Sequence, residues 1–423
     1  MQTLIPPPRV AIVRHERYPA DPHLLRSVHA LRDAGFDVEV ICVHEPGRPR
    51  HERSDAVTVL RVLFQHRRHS VLRYLVEYAT LPVLAAVIVA ARSLRRRYDY
   101  VEIDTPPDWL VLAGLIPRMQ GSTVVLYMFD NLLELMATDH GLAAGHPLMR
   151  ALVTVQRLCA GLAHRLIVPH DMARRLLGEQ GIPSEKIAAV VPNVPDERVF
   201  LARITRSKVE SARRKQPARS STFRLVTHGT LLHRYGIQTL LQAVALLRGR
   251  IPGLHLQIIG DGEYRPALEQ LAARLALGDV VTFSGHVPFD QVAPALEGAA
   301  VGIVPMWAPF VPNKLMEYLA LGLPVIAADW PSLRLCFDDK AIFYVPPKNA
   351  QALANAIMVL YRDPQRRAAL AATGHAVYRA RFAWERTKRA YLAVYGVEDR
   401  RREAEDARGA HSRLPPPASH LRR

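Results

Sequence analysis

The sequence contains few cysteines, and their positions match neither a metal site nor a disulfide framework. Its three cysteines, Cys42, Cys159 and Cys336, are scattered along 423 residues. Zinc sites and redox motifs need cysteine or histidine at short fixed spacings, and small disulfide-bonded domains need several cysteine pairs. The composition therefore argues against both kinds of protein and favours a reducing, cytoplasmic compartment.

Hydrophobic runs long enough to cross a bilayer are also missing. The stretch from Tyr78 to Ala91 is uncharged, but it is only 14 residues long and is interrupted by Pro82, whereas a membrane-spanning helix needs about 20 residues. One interpretation is a buried crossover helix. The other is a helix half sunk in the membrane interface, with its flanking arginines on anionic lipid. Because prolines at positions 6–8 interrupt the start of the chain, we expect no signal peptide.

Acidic residues are outnumbered, 39 against 56 lysines and arginines, which gives a net charge of +17. So large a surplus indicates an anionic partner: a membrane surface, a nucleic acid or a phosphorylated ligand. We expect no nucleic-acid partner, because the chain has no zinc spacing, no RNP-like aromatic motif and no obvious recognition helix. The 423 residues are enough for two or three domains of usual size, and the 49% of hydrophobic residues are enough for a sizeable core.

The first segment of the chain follows a strand–helix–strand pattern. Val10–Val13 is a short apolar run, Leu24 to Leu31 follow helical spacing, Gly35 can end that helix, and Val38–Val43 is a second apolar run. This pattern predicts an α/β fold with a parallel, doubly wound sheet. Ligands of such sheets bind at the carboxyl ends of the strands, so the loop at 14–21 is a candidate lip of an active cleft.

A second unit of the same kind begins at Phe223. Between the two units, residues 201–221 are basic and polar and predict a linker, and residues 401–423 are charged and proline-rich and predict a disordered tail. We therefore predict an N-terminal domain over 1–200, a C-terminal domain over 222–380 and a last helix over 381–400.

The stretch from Val311 to Asp329 predicts a loop, a short helix and a buried strand. Asn313 is placed to cap the helix, Gly322 to end it, and an apolar run follows from Val325. A helix start at the mouth of a parallel sheet attracts phosphate, and Glu317 one turn later can accept hydrogen bonds from a ribose diol. The alternative is an ordinary surface helix with a solvated glutamate.

This stretch resembles the nucleotide-sugar site of the retaining glycosyltransferases of family 4, which have the GT-B fold. Many members carry a Glu-x7-Glu motif followed by A-x-G-x-P-V-I. Here the first glutamate position holds Pro309, while the rest of the motif matches Glu317, Ala320, Gly322, Pro324, Val325 and Ile326. A subgroup pattern, P-x-K-L-x-E-Y, is matched by Pro312, Lys314, Leu315, Glu317 and Tyr318.

Other segments resemble the family in order and spacing, and together they imply two Rossmann-like domains facing across a cleft. The resemblance implies that the C-terminal domain binds a nucleotide-diphospho-sugar through Gly229, Thr230, Gly260, Asp261, Gly262, Ser284, Gly285, His286, Asn313, Lys314, Leu315 and Glu317. Arg234 and Lys314 would stabilise the departing diphosphate and Glu317 would hold the ribose, so these three are the candidate catalytic residues. The resemblance implies neither a metal nor a cofactor, and the anomeric configuration would be retained.

The resemblance assigns the acceptor to the N-terminal domain, where polar residues follow the predicted strands. The candidate acceptor-side residues are Arg14, Asp21, Asp104, Asp130 and Glu134. Phe129 occupies a position where family members often have histidine. His170, which follows another strand, is interpreted as a helix-start residue, with a substrate contact as the alternative. The acceptor would be lipid-linked, a polysaccharide or a small molecule.

Departures at Phe129, Thr230, Tyr235 and Pro309 leave open a catalytically inactive, glycosyltransferase-like subunit or adaptor. A second alternative is a nucleotide-sugar 2-epimerase, because that enzyme class shares the fold. We expect a cytoplasmic protein, with peripheral attachment to the inner face of the cell membrane as the alternative raised by its basic charge. The oligomeric state is left open.

Overall fold

The structure is a computed structural model that describes residues 6–63, 71–129, 133, 145–204 and 222–398, with backbone only at 63 and 71–79. Several predictions lie outside the described residues: Asp130, Glu134, most of the 201–221 linker and the 401–423 tail. The described chain forms two α/β domains that face each other across a cleft, as the sequence predicts.

The N-terminal domain is built on an eight-stranded sheet with the order β3-β4-β2-β1-β5-β6-β7-β8. Its ladders are parallel except between β3 and β4, which form an antiparallel pair at one edge. At the centre of the sheet, Ile12 of the first strand is in register with Val40 of the second strand and with Glu102 of the fifth. The strands are β1 Arg9–Val13, β2 Asp37–Val43, β3 His51–Ser54, β4 Val57–Leu63, β5 Tyr100–Thr105, β6 Thr123–Met128, β7 Arg165–Val168 and β8 Ile187–Val190.

Helices cover both faces of this sheet. The first helix shows why the chain folds locally as predicted: the Asp21 carboxylate accepts a hydrogen bond from the backbone N–H of Leu24 at 2.6 Å, and Gly35 (φ 86°) allows the chain to turn back. The helices are α1 Pro22–Asp33, α2 Val71–Arg95, α3 Leu115–Met119, α4 Pro147–Leu162, α5 Asp171–Glu179 and α6 Glu197–Phe200, with 3₁₀ helices at Asp108–Gly114 and Ser184–Lys186.

The C-terminal domain has a six-stranded parallel sheet with the order β11-β10-β9-β12-β13-β14. Its strands are β9 Phe223–His228, β10 Leu254–Ile259, β11 Val281–Gly285, β12 Val301–Val304, β13 Val325–Ala328 and β14 Phe343–Val345. Its helices are α7 Ile237–Leu247, α8 Arg265–Arg274, α9 Phe289–Leu296, α10 Asn313–Ala320, α11 Pro331–Arg334 and α12 Ala350–Arg362, with a 3₁₀ helix at His233–Tyr235.

The last two helices, α13 Pro364–Arg381 and α14 Trp384–Ala393, bring the chain back to the N-terminal domain. Trp384 is fully buried, and the Arg26 guanidinium lies 4.6 Å from its ring centre. The hydroxyls of Tyr391 and Tyr395 donate to the buried Glu102 carboxyl group at the centre of the first sheet. These contacts attach the C-terminal segment to the sheet of the other domain.

The stretch from Tyr78 to Ala91 forms the middle of α2. Leu81, Ala85 and Val89 are buried against the sheet, as expected for a crossover helix, whereas Val83 and Val87 on the opposite face are exposed. In the described part of the chain, no helix combines the length and apolar character needed to cross a bilayer.

Candidate functional site

The cleft between the domains contains a cavity of about 940 Å³, a size typical of small-molecule sites. Its walls come from both domains, at the carboxyl ends of the strands of the two sheets. This is where parallel α/β sheets bind their ligands, because loops and helix N-termini converge there. The cavity is therefore the candidate active site.

Two backbone turns on the C-terminal side of the cavity require glycine. Gly229 and Gly260 follow strands β9 and β10 and have φ values of 111° and 134°. A Cβ atom added to Gly260 would lie 1.9 Å from the Gly229 carbonyl oxygen. The two turns therefore pack backbone against backbone, which only glycine permits at this distance.

Lys314 places a buried positive charge in the site. Its side chain is 5% exposed and lines the cavity, and its ammonium lies 4.7 Å from the centre of the Tyr235 ring and next to Gly229. Among the described residues, the ammonium has no hydrogen-bond partner. Burial lowers the pKa of Lys314 to about 8, against the opposing influence of the Glu317 charge. A buried, unpaired cation in a cavity is suited to an anionic ligand.

Glu317 lies one turn further along α10 and also lines the cavity. Its carboxylate contacts Nε2 of His228, whose Nδ1 lies 3.0 Å from the Tyr318 hydroxyl. Because the Tyr318 hydroxyl accepts from the backbone N–H of His228 at 3.1 Å, it can donate to Nδ1, which puts the proton of His228 on Nε2. His228 thus donates to Glu317 and holds its carboxylate in place, which still leaves acceptor capacity for ligand hydroxyls.

The prediction that Asn313 caps this helix is wrong. Pro312 occupies the N-cap position without a side-chain cap, and Asn313 is the first helical residue. The Asn313 side-chain amide instead contacts Nε2 of His23 in the N-terminal domain, at 2.9 Å across the cleft. Burial, together with the charge of Arg26, lowers the pKa of His23 to about 3, so its imidazole is neutral and can accept this hydrogen bond.

The remaining predicted donor residues divide into two groups. Those that line the cavity with Gly229, Gly260, Asn313, Lys314 and Glu317 are Thr230, Arg234, Asp261 and His286. Four others do not line it. Leu315 is fully buried in the core, Gly262 packs against the backbone of Leu231, and the Ser284 hydroxyl accepts from Gln257 at 3.0 Å. Gly285 supports the site indirectly, since its carbonyl accepts from the Gly260 N–H at 2.7 Å.

The predicted acceptor-side residues Arg14, Asp21 and Asp104 are not among the cavity-lining residues, and their acceptor-side role stays a prediction. The Arg14 guanidinium is 3.2 Å from both carboxylates, and the three side chains form a largely buried network. Burial raises the pKa of Asp104 to about 6, although the charge of Arg14 opposes the shift. The pairing offsets part of the cost of burying these charges, because a buried charge without a partner is strongly unfavourable.

Phe129 lies between this network and the cavity. Its ring stacks on Tyr127 at 3.7 Å and on the Arg14 guanidinium at 3.8 Å, and it lines the cavity. His170 caps α5 by accepting from Ala173, as interpreted from the sequence, and also lines the cavity. The N-terminal wall therefore presents an aromatic face and an imidazole to a ligand.

Sequence reasoning missed six charged or polar residues of the cavity: Arg17, Glu45, Arg48, Asn193, His228 and Asp290. His228 could have been found, because it is the last residue of a predicted strand and so lies at its carboxyl end. Arg17 belongs to the loop already identified as a cleft lip. Nothing in the sequence pattern singles out Arg48 or Asn193.

Comparison with known families matches both domains. A model described as "Glycosyl transferases group 1" matches residues 222–363, and one described as "Glycosyl transferase 4-like domain" matches residues 20–193. Together the two matches span more than two thirds of the chain.

Curated relatives are moderately similar. The chain is 32% identical over 174 residues to the lipopolysaccharide core biosynthesis glycosyltransferase LpsE of Rhizobium meliloti, covering 40% of this chain and 48% of the relative. It is 29% identical over 244 residues to a D-inositol 3-phosphate glycosyltransferase of Pseudarthrobacter chlorophenolicus, covering 56% and 57%. The chain thus spans about half the length of these relatives.

Solved structures share the fold over nearly the whole chain. Sucrose-phosphate synthase of Thermosynechococcus elongatus superposes with a TM-score of 0.71 and 22% identity, covering 92% of this chain and 98% of that one. Alr3699/HepE of Anabaena in complex with UDP-glucose superposes with a TM-score of 0.64 and 17% identity, covering 92% and 99%. The architecture of this chain is thus that of the GT-B glycosyltransferases.

Proposed function

The chain belongs to the group 1 glycosyltransferases of the GT-B fold, and from this premise we propose that it transfers a sugar from a nucleotide-diphospho-sugar to an acceptor with retention at the anomeric carbon. The single observation that supports donor binding best is the buried, unpaired ammonium of Lys314 in the cavity. An isolated buried cation destabilises the unliganded protein, and a diphosphate would supply its missing partner.

The donor is oriented with its diphosphate near Lys314 and Arg234 and its ribose near Glu317. The turn at Gly229 supports this placement: a Cβ atom there would lie 3.7 Å from the Lys314 ammonium nitrogen, so its absence leaves space beside that cation for a phosphate. The Glu317 carboxylate, held by His228, has acceptor positions left for the two ribose hydroxyls. HepE shares the fold and its structures contain UDP and UDP-glucose, so a UDP-sugar is the first donor to test.

In the chemical step, the bond between the anomeric carbon and the diphosphate oxygen breaks and the acceptor oxygen bonds to the same face of the sugar. Negative charge develops on the departing diphosphate, where Lys314 and Arg234 stabilise it more strongly than in the ground state. The acceptor proton passes to the departing phosphate oxygen. No side chain of the cavity is assigned as a general base in this scheme.

The acceptor belongs to one of three classes: lipid-linked, polysaccharide or small molecule. It would meet the N-terminal wall formed by Arg17, Phe129, His170 and Asn193. The scattered cysteines support a cytoplasmic protein, and the basic net charge supports its attachment to the anionic inner face of the cell membrane. Wild-type assays with acceptors of the three classes would test this part, with release of the nucleoside diphosphate as the readout.

Donor binding is tested by thermal-shift measurements with UDP-, GDP-, ADP- and dTDP-sugars on the wild type and on Glu317→Ala. A ligand at about 100 times its dissociation constant stabilises the folded protein by about 2.7 kcal/mol, which is readily detected. We expect one base to raise the melting temperature of the wild type and to lose its effect in the variant. No response to any of the four donors would contradict the proposal and favour an inactive, adaptor-like protein.

A further inference from the structure

The exposed large hydrophobic side chains of the described chain are concentrated on one face. Ten such side chains are exposed, and eight of them lie on α2, on α4 or on the segment from Asp108 to Met119 between β5 and β6. These eight are Val83, Val87, Leu94, Leu112, Ile116, Met119, Leu148 and Leu158. We call the three segments the outer helical layer. They pack side by side on the sheet face that is turned away from α1 and α14.

The α2 helix of this layer is apolar on two opposite sides. Leu81, Ala85 and Val89 fill the core against the sheet, while Val83 and Leu94 on the outside are 65% and 72% exposed. In α3, Met119 is 83% exposed. A surface helix normally carries polar residues on its outer side, and one that is hydrophobic all round is buried in protein or lipid. Something apolar is therefore expected to cover this face.

The charges of the outer helical layer are mostly basic, with Glu77 and Asp108 as its two acidic residues. Over residues 80–95, 108–119 and 147–162, the only acidic residue is Asp108, which is buried. Arg95, Arg150 and Arg157 are exposed, and no ion pair joins any of them to another described residue. The face thus combines protruding apolar side chains with arginines and lacks exposed carboxylates over these ranges.

We infer that the outer helical layer docks onto an anionic lipid bilayer, with the apolar side chains inserted in the interface and the arginines on lipid phosphates. Apolar insertion and attraction of basic residues to anionic lipid each contribute to interfacial binding, and the net charge of +17 acts in the same direction. A second copy of the chain fits less well, because a symmetric dimer through this face would bring arginines together without carboxylates to pair with them.

Flotation with phosphatidylcholine vesicles, with and without phosphatidylglycerol, tests the inference on the full chain. The test variant is L94D/M119D. The matched control is L246D/L335D, which changes the two remaining exposed leucines outside the layer. We expect the wild type to bind vesicles that contain phosphatidylglycerol, the test variant to bind at least tenfold more weakly, and the control to bind like the wild type. All four positions are exposed, and thermal unfolding of each variant verifies that it folds.

A second pair of variants examines the charges. R95E/R150E should weaken binding to the anionic vesicles, whereas R274E/R379E, at exposed arginines of the C-terminal half, should weaken it less. The inference is overturned if the wild type does not bind, if test and control variants behave alike, or if L94D/M119D leaves binding unchanged. It is also overturned if sedimentation velocity without lipid reveals a dimer that L94D/M119D dissociates, since the face would then join two chains.

The docking face is independent of the donor site, so the two proposals can fail separately. L94D/M119D should keep the wild-type thermal response to the nucleotide sugar, and Glu317→Ala should keep the wild-type vesicle binding. Loss of donor response in both variants would indicate general damage to the fold, which the thermal unfolding curves would reveal.

Discussion

Replacing Lys314 with methionine should make the unliganded protein more stable and the donor complex weaker. Burial lowers the pKa of Lys314 from its usual 10.5 to about 8. At 1.36 kcal/mol per pH unit, the charged ammonium therefore costs the folded state about 3 kcal/mol. Methionine fills a similar volume without a charge, so we expect the free energy of unfolding at pH 7 to rise by about 1–3 kcal/mol.

The pH dependence of this gain has a definite sign. Because the pKa of Lys314 is lower in the folded than in the unfolded chain, the cost is fully present below pH 8. It decreases between pH 8 and 10.5, where the folded chain loses the proton before the unfolded chain does. The stability advantage of Lys314→Met should therefore be largest near pH 7 and smaller near pH 10, as measured by urea unfolding without ligand.

The matched control is Lys340→Met, at an exposed lysine of the same domain. It should change the unfolding free energy by less than about 0.5 kcal/mol. In isothermal titration, Lys314→Met should bind the nucleotide sugar about 10- to 100-fold more weakly than wild type, because it loses a charge-assisted contact. A variant that is less stable than wild type at pH 7 and binds the donor equally well would refute the reasoning.

Three further outcomes are expected. In titration calorimetry, the donor affinity of the wild type should be constant below about pH 7.5 and fall above pH 8. The reason is that a bound diphosphate raises the pKa of Lys314, and the deprotonated amine binds the diphosphate less well. Lys314→Met should lack this fall. Glu102→Gln should change the unfolding free energy by less than about 1 kcal/mol, because burial raises the pKa of Glu102 and so favours the neutral carboxyl that an amide resembles. Glu102→Ala, which removes the carboxyl oxygen to which the hydroxyls of Tyr391 and Tyr395 donate, should destabilise by about 2–4 kcal/mol. Equal effects of the two changes would contradict this. Gly260→Ala should lower the melting temperature and destabilise by about 2–4 kcal/mol, since its Cβ would lie 1.9 Å from the Gly229 carbonyl oxygen, whereas Gly178→Ala, in open space on α5, should be neutral or slightly stabilising.

The sequence alone determined the elements and their order, because these depend on neighbouring residues. Apolar runs such as Val10–Val13 and Val325–Ala328 became buried strands, and glycines such as Gly35 and Gly322 took the left-handed conformation that ends a helix. The strand–helix–strand periodicity determined the parallel ladders of the two sheets, since chirality permits one hand of crossover, whereas the antiparallel β3–β4 pair at the edge of the first sheet was not predicted. The helix that carries Lys314 and Glu317 was predictable for the same reason, as it lies within a single stretch of chain.

Contacts between residues far apart in the chain were decided only by the tertiary structure. Asn313 was predicted as a cap, but it contacts His23, which lies 290 positions earlier. The pairing of Arg14 with Asp104, which lies 90 positions later in the chain, was likewise not predictable from spacing. The Glu317–His228 contact also joins distant segments. Residue type and local spacing do not report which side chains meet when two domains pack.

The same limit applies to exposure. Hydrophobic side chains of α2 point in all directions around the helix axis. The sequence was therefore consistent with a buried helix and with a helix at a membrane interface. Only packing against the sheet separated Leu81 and Val89, which are buried, from Val83 and Leu94, which face outward. Periodicity records where apolar side chains lie around a helix, whereas the neighbours that cover them are set by the arrangement of the whole chain.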